Sequence, residues 1–191
     1  MKNLILTLLL GVNLVITNAV ADESKFYLGL DVFGSDNTFT EKLGAVSIDV
    51  DDDSDGYKLK FGAELSEGWR VQGYYQRETY DLPVYDNTND VLNEIGADVI
   101  KGFEVTPEFS PFLQVGMGFG WMDVKGYADS TANTLSFKLG AGVMYKFTPI
   151  FEAIAGVDFQ YRDWEDIETI LGTIELSETS SRIYLGANIH F

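Results

Sequence analysis

Apolar and polar residues alternate along most of the chain, and the alternation is clearest at its C-terminal end. In the last segment, SSRIYLGANIHF, apolar residues occupy every second position from Ile183 to Phe191. Polar or amphipathic residues such as Arg182 and His190 lie at the positions between them. A period of two is typical of a β-strand that has one apolar and one polar face. The sequence therefore ends in a predicted strand with two chemically distinct faces.

The same alternation recurs in eight segments, each close to the ten or so residues with which a tilted strand crosses a bilayer. They cover residues 25–33, 56–65, 69–79, 93–104, 111–123, 134–147, 150–162 and 181–191. The fourth is the weakest, because Lys101 falls among the apolar positions, and a bulge near Ile100 would reset its alternation. Glycines are scattered among the polar positions, where small side chains would let a narrow interior close. The predicted fold class is all-β, an eight-stranded antiparallel up-and-down barrel.

The lengths of the links indicate which face of such a barrel is apolar. A soluble barrel has its apolar face inside, whereas a membrane barrel has it outside. Long polar links at 34–55, 80–92, 124–133 and 163–180 alternate with short ones at 66–68, 105–110 and 148–149. Long loops at one end and tight turns at the other are typical of a membrane barrel.

Aromatic residues at apolar positions fall near both ends of the predicted strands. Those near the long links are Tyr57, Tyr75, Trp121 and Tyr161, and those near the short turns are Phe26, Trp69, Phe103, Phe147, Phe151 and Phe191. Two aromatic girdles, one at each interface, are the arrangement expected of a transmembrane barrel.

The N-terminus has the layout of a secretory signal peptide. Lys2 precedes an apolar run from Leu4 to Ile16, and Ala19 and Ala21 supply the small residues of a cleavage site. The apolar run is shorter than the roughly 20 residues of a membrane-spanning helix, so an anchor is disfavoured. We expect a signal peptide at 1–21 and a barrel domain at 22–191.

Charge restricts the possible partners and the contents of the barrel. A net charge of -17 argues against a nucleic-acid partner. Loss of Lys2 with the signal peptide would leave 12 of the 13 basic residues against 30 acidic ones, a net charge of -18. The polar face nevertheless carries seven bases and six acids: Lys58, Lys60, Arg70, Lys138, Lys146, Arg162 and Arg182, with Asp31, Glu64, Glu94, Asp98, Glu152 and Asp158.

Charges confined in so narrow a barrel persist when they are paired, because an unpaired buried ion is costly. The near balance therefore predicts a plug of ion pairs. A narrow pore lined by the same charges is the alternative.

The excess acid is expected in the long links. Asp51, Asp53 and Asp55 precede Gly56 as in the first half of a calcium-binding loop, but the twelfth position, which needs a bidentate acid, is Gly62. A solvated acidic loop is the preferred interpretation, with at most weak binding of Ca²⁺ or Mg²⁺ and no other cofactor. Contact with lipopolysaccharide phosphates through divalent cations is our hypothesis for this acidity.

Together, the signal peptide, the eight strands with short turns and the closing strand that ends in Phe resemble the small OmpA/OmpX-type outer-membrane barrels of Gram-negative bacteria. The resemblance implies a monomer in the outer membrane with a periplasmic N-terminus, in contact with lipid and lipopolysaccharide. It also implies a C-terminal signal that the barrel assembly machinery recognises, formed by Ile183, Leu185, Ala187, Ile189 and Phe191. Members of this family include anchors, adhesins, narrow pores and a few lipid-modifying enzymes.

Catalysis is disfavoured by the position of the only histidine. Lipid A deacylases and palmitoyltransferases of similar architecture use a His and a Ser near the outer leaflet, whereas His190 lies at the predicted periplasmic rim. We expect a structural or surface-interaction protein, not an enzyme.

The closing strand provides a first test. Replacing Phe191 with Asp should impair insertion, because the change damages the last strand and its apolar girdle together. The measurement is the amount of protein recovered in outer-membrane fractions, with Phe191→Tyr as the control that keeps an aromatic ring. Full recovery of Phe191→Asp in that fraction would contradict this prediction.

Overall fold

The computed structural model describes residues 25–44, 46–82, 90–123, 131–169 and 172–191. Strands fill most of these ranges: β1 (Lys25–Leu43), β2 (Val46–Glu64), β3 (Trp69–Tyr80), β4 (Val91–Gly102), β5 (Phe109–Asp123), β6 (Thr131–Lys146), β7 (Phe151–Trp164), β8 (Ile167–Thr169) and β9 (Gly172–His190). A 3₁₀ turn, Ser66–Gly68, joins β2 to β3. The predicted signal peptide lies outside the described residues, as do residues 83–89 and 124–130 of two predicted links.

Within the described part of the chain, no helix is long and apolar enough to cross a membrane.

Eight strands form a closed antiparallel barrel in the order β1 to β7 followed by β9, and β9 pairs back onto β1. The short strand β8 pairs only with the start of β9. At the closing seam, Phe191 N donates to Phe26 O at 2.9 Å and Phe26 N donates to Phe191 O at 3.2 Å. Closure leaves the barrel wall without an open edge, and the predicted eight-stranded barrel is confirmed.

The wall has an apolar outer face and a polar inner face. Most leucine, valine, isoleucine and phenylalanine side chains at outward positions are more than a third exposed, whereas most inward side chains are buried. All the predicted girdle residues lie on the outer face at least partly exposed. A protein in water would bury the apolar face, so this wall is built for lipid.

Inward glycines accommodate inward aromatic rings of neighbouring strands. A Cβ on Gly96 would lie 2.4 Å from the Tyr74 hydroxyl, and one on Gly156 would lie 2.5 Å from that of Tyr184. Tyr27 occupies the corresponding space at Gly62. These glycines thus make room for rings that fill the bore.

Two clusters of buried apolar residues also lie inside the barrel. The first closes the long-link end and contains Phe39, Tyr80, Leu92, Met122, Ala132, Trp164 and Leu176. The second lies deeper and contains Phe33, Ile100, Phe112, Met144, Ile154 and Tyr184. The interior therefore holds buried apolar clusters beside its charged groups.

The prediction of a loop at 34–55 was wrong. β1 and β2 continue through this segment as a hairpin whose pairing runs to Leu43↔Val46, and β1 pairs with β9 as far as Leu43↔Ile174. We call the part beyond the barrel rim the projecting sheet: residues 36–43 of β1, 46–53 of β2 and 172–176 of β9, with β8. Alternating threonine, valine and isoleucine favour strand here, although the aspartates between them suggested a loop.

The predicted bulge near Ile100 was also wrong. β4 pairs with β3 from Val91 to Lys101 and with β5 from Asn93 to Gly102, and neither ladder is interrupted. Ile100 points inward, and Lys101 points outward at the short-turn end with Nζ 5.1 Å from the centre of the Trp69 ring. Lys101 Nζ also donates to Glu67 O. The long stem carries the charge to the polar rim, so an outward lysine requires no bulge.

The packing of Tyr74 against Gly96 can be tested by a substitution that adds one methyl group. Gly96→Ala places a Cβ 2.4 Å from both Tyr74 and the backbone oxygen of Met117, so we expect a loss of about 1 to 3 kcal/mol in the free energy of unfolding. The matched control is Gly73→Ala, whose Cβ would have only one neighbour, at 3.8 Å. Urea unfolding in detergent micelles measures both; equal stability of the two variants would contradict the packing argument.

Candidate functional site

The thirteen predicted interior charges lie on the inner face of the barrel. Eleven are buried, and Glu64 and Lys146 are partly exposed at the short-turn end. The buried members are Asp31, Lys58, Lys60, Arg70, Glu94, Asp98, Lys138, Glu152, Asp158, Arg162 and Arg182. They form three layers along the axis, which we call the upper, middle and lower layers, the upper one being next to the long links.

Arg162 is the centre of the upper layer. Its guanidinium contacts Glu78 Oε2 at 2.5 Å, Glu178 Oε1 at 2.6 Å and Glu94 Oε2 at 3.2 Å. It also donates to the Tyr80 hydroxyl at 3.0 Å. All three ion pairs are withdrawn from water, with at most 1% of any side chain exposed. One cation of β7 thereby joins β3, β4 and β9.

Arg182 is a second arginine in the same layer. It contacts Glu78 Oε2 at 3.2 Å and Asp158 Oδ1 at 3.8 Å, and it donates to Gln76 Oε1 at 2.8 Å. Its guanidinium lies 4.2 Å from the centre of the Phe33 ring. Glu78 is therefore shared by two arginines, which balances part of the acid around Arg162.

Glu78 and Glu178 were missed by the sequence analysis. Both are buried. Among the described residues below the projecting sheet, they raise the number of interior acids from six to eight, against the same seven bases. Glu78 occupies an inward position of a predicted strand, so the alternation alone would have found it. Glu178 was assigned to an acidic link at 163–180, but the structure places it in β9, where Tyr80 and Ser180 also donate to it.

Lysines dominate the middle layer. Lys60 Nζ pairs with Asp31 Oδ1 at 2.6 Å, and Lys138 Nζ pairs with Asp98 Oδ1 at 2.8 Å. Lys58 Nζ lies 5.1 Å from the centre of the Tyr74 ring. Aromatic faces thus supplement the carboxylates as partners for buried ammonium groups.

Arg70 is the centre of the lower layer. It donates to Glu152 through two parallel hydrogen bonds, of 2.7 and 2.8 Å, and to Glu64 Oε1 at 2.6 Å. Lys146 reaches the same Glu64 oxygen at 3.3 Å, and Asn188 donates to Glu152 at 2.9 Å. The two-pronged contact with Glu152 is the strongest geometry for a guanidinium and a carboxylate.

The upper and lower layers connect the same two walls with opposite polarity. β3 and β7 lie four strands apart in a ring of eight, so they face each other across the bore. At the upper end β3 supplies Glu78 and β7 supplies Arg162; at the lower end β3 supplies Arg70 and β7 supplies Glu152. Two crossed ion pairs therefore span the full width of the barrel.

His190 lies in the lower layer and forms a group with Glu64 and Glu152 whose ligand atoms are within 4.8 Å of one another. Such a group has the donors of a metal site, but Arg70 already donates to both carboxylates. The guanidinium occupies the place between the acids that a cation would need. The geometry accordingly favours an internal ion pair here.

Asp51, Asp53 and Asp55 lie at alternate, exposed positions of β2, and the predicted loop around them is a strand. A strand separates alternate side chains by about 7 Å, so they do not converge as loop ligands would. Thr38 donates to Asp51 at 3.0 Å. Weak binding of Ca²⁺ or Mg²⁺ by these residues stays a prediction. Asp52 points to the opposite face, and burial raises the pKa of its carboxyl above the usual range.

Because Arg162 is the centre of the upper layer, we expect its removal to lower the stability of the barrel strongly. Arg162→Met leaves Glu78, Glu94 and Glu178 with one fewer partner, so we expect the free energy of unfolding to fall by roughly 3 to 5 kcal/mol. Arg77→Met is the control, because Arg77 is an exposed, outward arginine of β3 and should change stability by about 0.5 kcal/mol or less.

Urea unfolding in micelles, followed by tryptophan fluorescence, measures both variants. Adding Glu178→Gln to Arg162→Met should recover part of the loss, because it removes one of the unpaired acids. Equal stability of Arg162→Met and Arg77→Met would show that the layer contributes nothing.

Comparison with known proteins identifies the family. Neisserial surface protein A (NspA) is 20% identical with a TM-score of 0.58, over 87% of this chain and 97% of that one. OprG from Pseudomonas aeruginosa is 9% identical with a TM-score of 0.55, over 87% and 95%, and OprH from P. aeruginosa is 12% identical with a TM-score of 0.55, over 87% and 99%. These identities show the fold alone.

A search of curated proteins found no match. The family model for the outer membrane protein beta-barrel domain matches residues 4–191. Since that match extends over nearly the whole sequence, the chain belongs to the outer membrane protein beta-barrel domain family and is a protein of the bacterial outer membrane.

Proposed function

We propose that the protein is a non-catalytic surface protein: a closed barrel that holds the projecting sheet outside the cell as an interaction surface. The observation that carries this proposal is the set of ion pairs around Arg162, which join β7 to β3, β4 and β9 with almost no exposure to water. A solute path would have to run through the space that these side chains fill.

Three features support a closed bore. An eight-stranded barrel encloses little more than the volume of its own side chains. The upper and lower layers each span it from β3 to β7. The apolar cluster around Leu92 and Met122, both with no exposed surface, covers the long-link end. Water in such an interior would occupy separate pockets.

A non-catalytic role is supported by the position of His190, the only histidine of the sequence. It is 5% exposed and lies beside Glu64 and Glu152 at the short-turn end, which faces the periplasm in the proposed orientation. Lipid substrates of the outer leaflet would be at the opposite end. We assign His190 to the polar network of the lower layer.

The charge of the projecting sheet supports an interaction role. Its outward face carries Asp36, Asp49, Asp51, Asp53 and Glu175, with Lys42 as its one base among the described residues. Asp55 lies between this face and the girdle residue Tyr57 on the same side of β2. We include in this proposal that the aspartates nearest the membrane contact lipopolysaccharide phosphates through divalent cations. We also include that the barrel assembly machinery inserts the protein as a monomer.

Planar-bilayer recording of the refolded protein tests the closed bore. We expect no steady conductance from the unmutated protein, because Arg162 and Arg70 pair with acids on the opposite wall and fill the bore. Arg182→Ala removes a partner of Glu78 and Asp158 and should produce small, intermittent currents. Arg77→Ala, on the outer face, should behave like the unmutated protein. Large and steady currents without any mutation would reject the closed barrel in favour of the narrow pore.

A further inference from the structure

The projecting sheet has an open edge along β2. Pairing of β2 with β3 ends at Ser54↔Tyr80, and one more backbone bond follows, from Asp81 N to Asp53 O at 2.9 Å. From Val46 to Asp52, the only strand that pairs with β2 among the described residues is β1. As far as the described residues go, this stretch of β2 therefore presents one side of its backbone without a strand beside it.

The direction of the last bond shows which backbone groups face that edge. Asp53 directs its carbonyl toward the β3 side. In an antiparallel strand, N–H and C=O of one residue point to the same side and alternate from residue to residue. The backbone groups of Ser47, Asp49 and Asp51 consequently face the open edge, ready to pair with another extended segment.

The two faces beside this edge differ in chemistry. On the barrel-facing side, Val46, Ile48 and Val50 are 60%, 57% and 39% exposed and extend the apolar surface that begins at Phe39. On the outward side, Asp49 and Asp51 are exposed. A strand added at the edge would extend both faces, so its side chains would alternate between apolar neighbours and carboxylates.

We propose that this edge binds an extended polypeptide segment of a partner in which apolar residues alternate with lysine or arginine. The backbone bonds supply affinity, as in other cases of strand addition, and the side chains on each face supply specificity. Opposite charges on adjacent strands stabilise such a pair, and like charges weaken it. This inference rests on the proposed function, since it needs the projecting sheet outside the cell.

The same charges argue against two other occupants. A second copy of this chain, paired edge to edge, would place aspartates beside aspartates, which disfavours self-association. A polyanion would meet a face that carries five acids and one base among the described residues, on a chain whose net charge is -17. A basic partner is the class that these residues attract.

The test uses the refolded full barrel in nanodiscs of uncharged lipid, with two labelled peptides of equal composition. One alternates lysine and valine, and the other has the lysines and valines in separate blocks. Fluorescence anisotropy should show tighter binding of the alternating peptide, because only that peptide matches both faces. Empty nanodiscs give the background. Equal affinity for both peptides, or binding of neither, overturns the proposal.

Two substitutions at one residue test the edge itself. Ser47→Pro removes an N–H that faces the edge, at a position where an edge strand tolerates proline. It should weaken binding by about five- to tenfold, the value of one hydrogen bond. Ser47→Ala keeps the N–H and should keep the affinity. If Ser47→Pro is folded by circular dichroism and still binds as well as Ser47→Ala, the edge is not the site.

The aspartates provide a separate readout. Asp49→Asn with Asp51→Asn keeps the backbone groups and should reduce both the affinity and its dependence on salt concentration. Unchanged affinity in this variant overturns the choice of a basic partner. The conductance recordings separate this inference from the proposed function: a closed barrel that binds no peptide refutes the edge site alone, and a conducting barrel that binds the peptide refutes the closed bore alone.

Discussion

The structure depends on the pairing of charges that have been withdrawn from water. An arginine or glutamate side chain loses its hydration inside the bore, and only close partners repay that cost. Arg162 meets this requirement with three glutamates from three strands, and Arg70 does so with Glu152 and Glu64. The lipid-facing wall could tolerate many apolar sequences, whereas the interior permits few arrangements.

The two ion pairs between β3 and β7 help to specify the register of these strands, because the acid and the base exchange strands between the upper and the lower pair. β3 offers an acid above and a base below, while β7 offers the reverse. A shift of either strand by two residues would move each of its charges away from its partner. The aromatic rings over glycines act in the same direction, because Tyr74 fits only where Gly96 leaves space. Charge and shape thus select one alignment of strands.

Much of the fold could be predicted because alternation is a local property that the sequence displays directly. Strand number, the apolar outer face, the girdles and the inward position of residues such as Arg162 all follow from it. The contacts between walls could not be predicted, since they depend on strand stagger, which no single segment encodes. The projecting sheet was missed for a different reason: Asp49, Asp51 and Asp53 reduce strand propensity, yet β1 supplies a paired neighbour that compensates for them. Glu178 was assigned to a link because the last strand was predicted to begin at residue 181, whereas β9 begins at Gly172.

The crossed pairs between β3 and β7 have a consequence for biogenesis. Arg70 and Glu152 are 82 positions apart in the chain, and Arg162 and Glu78 are 84 apart. Neither half of the barrel can form these two pairs alone, although Arg70 keeps Glu64 and Arg162 keeps Glu178 within its own half. A partly inserted half-sheet would therefore carry incompletely paired ions on the face opposite its apolar one. Such an intermediate cannot rest in hydrocarbon with that face toward lipid. We therefore expect its concave side to stay hydrated until the two halves meet and the crossed pairs form.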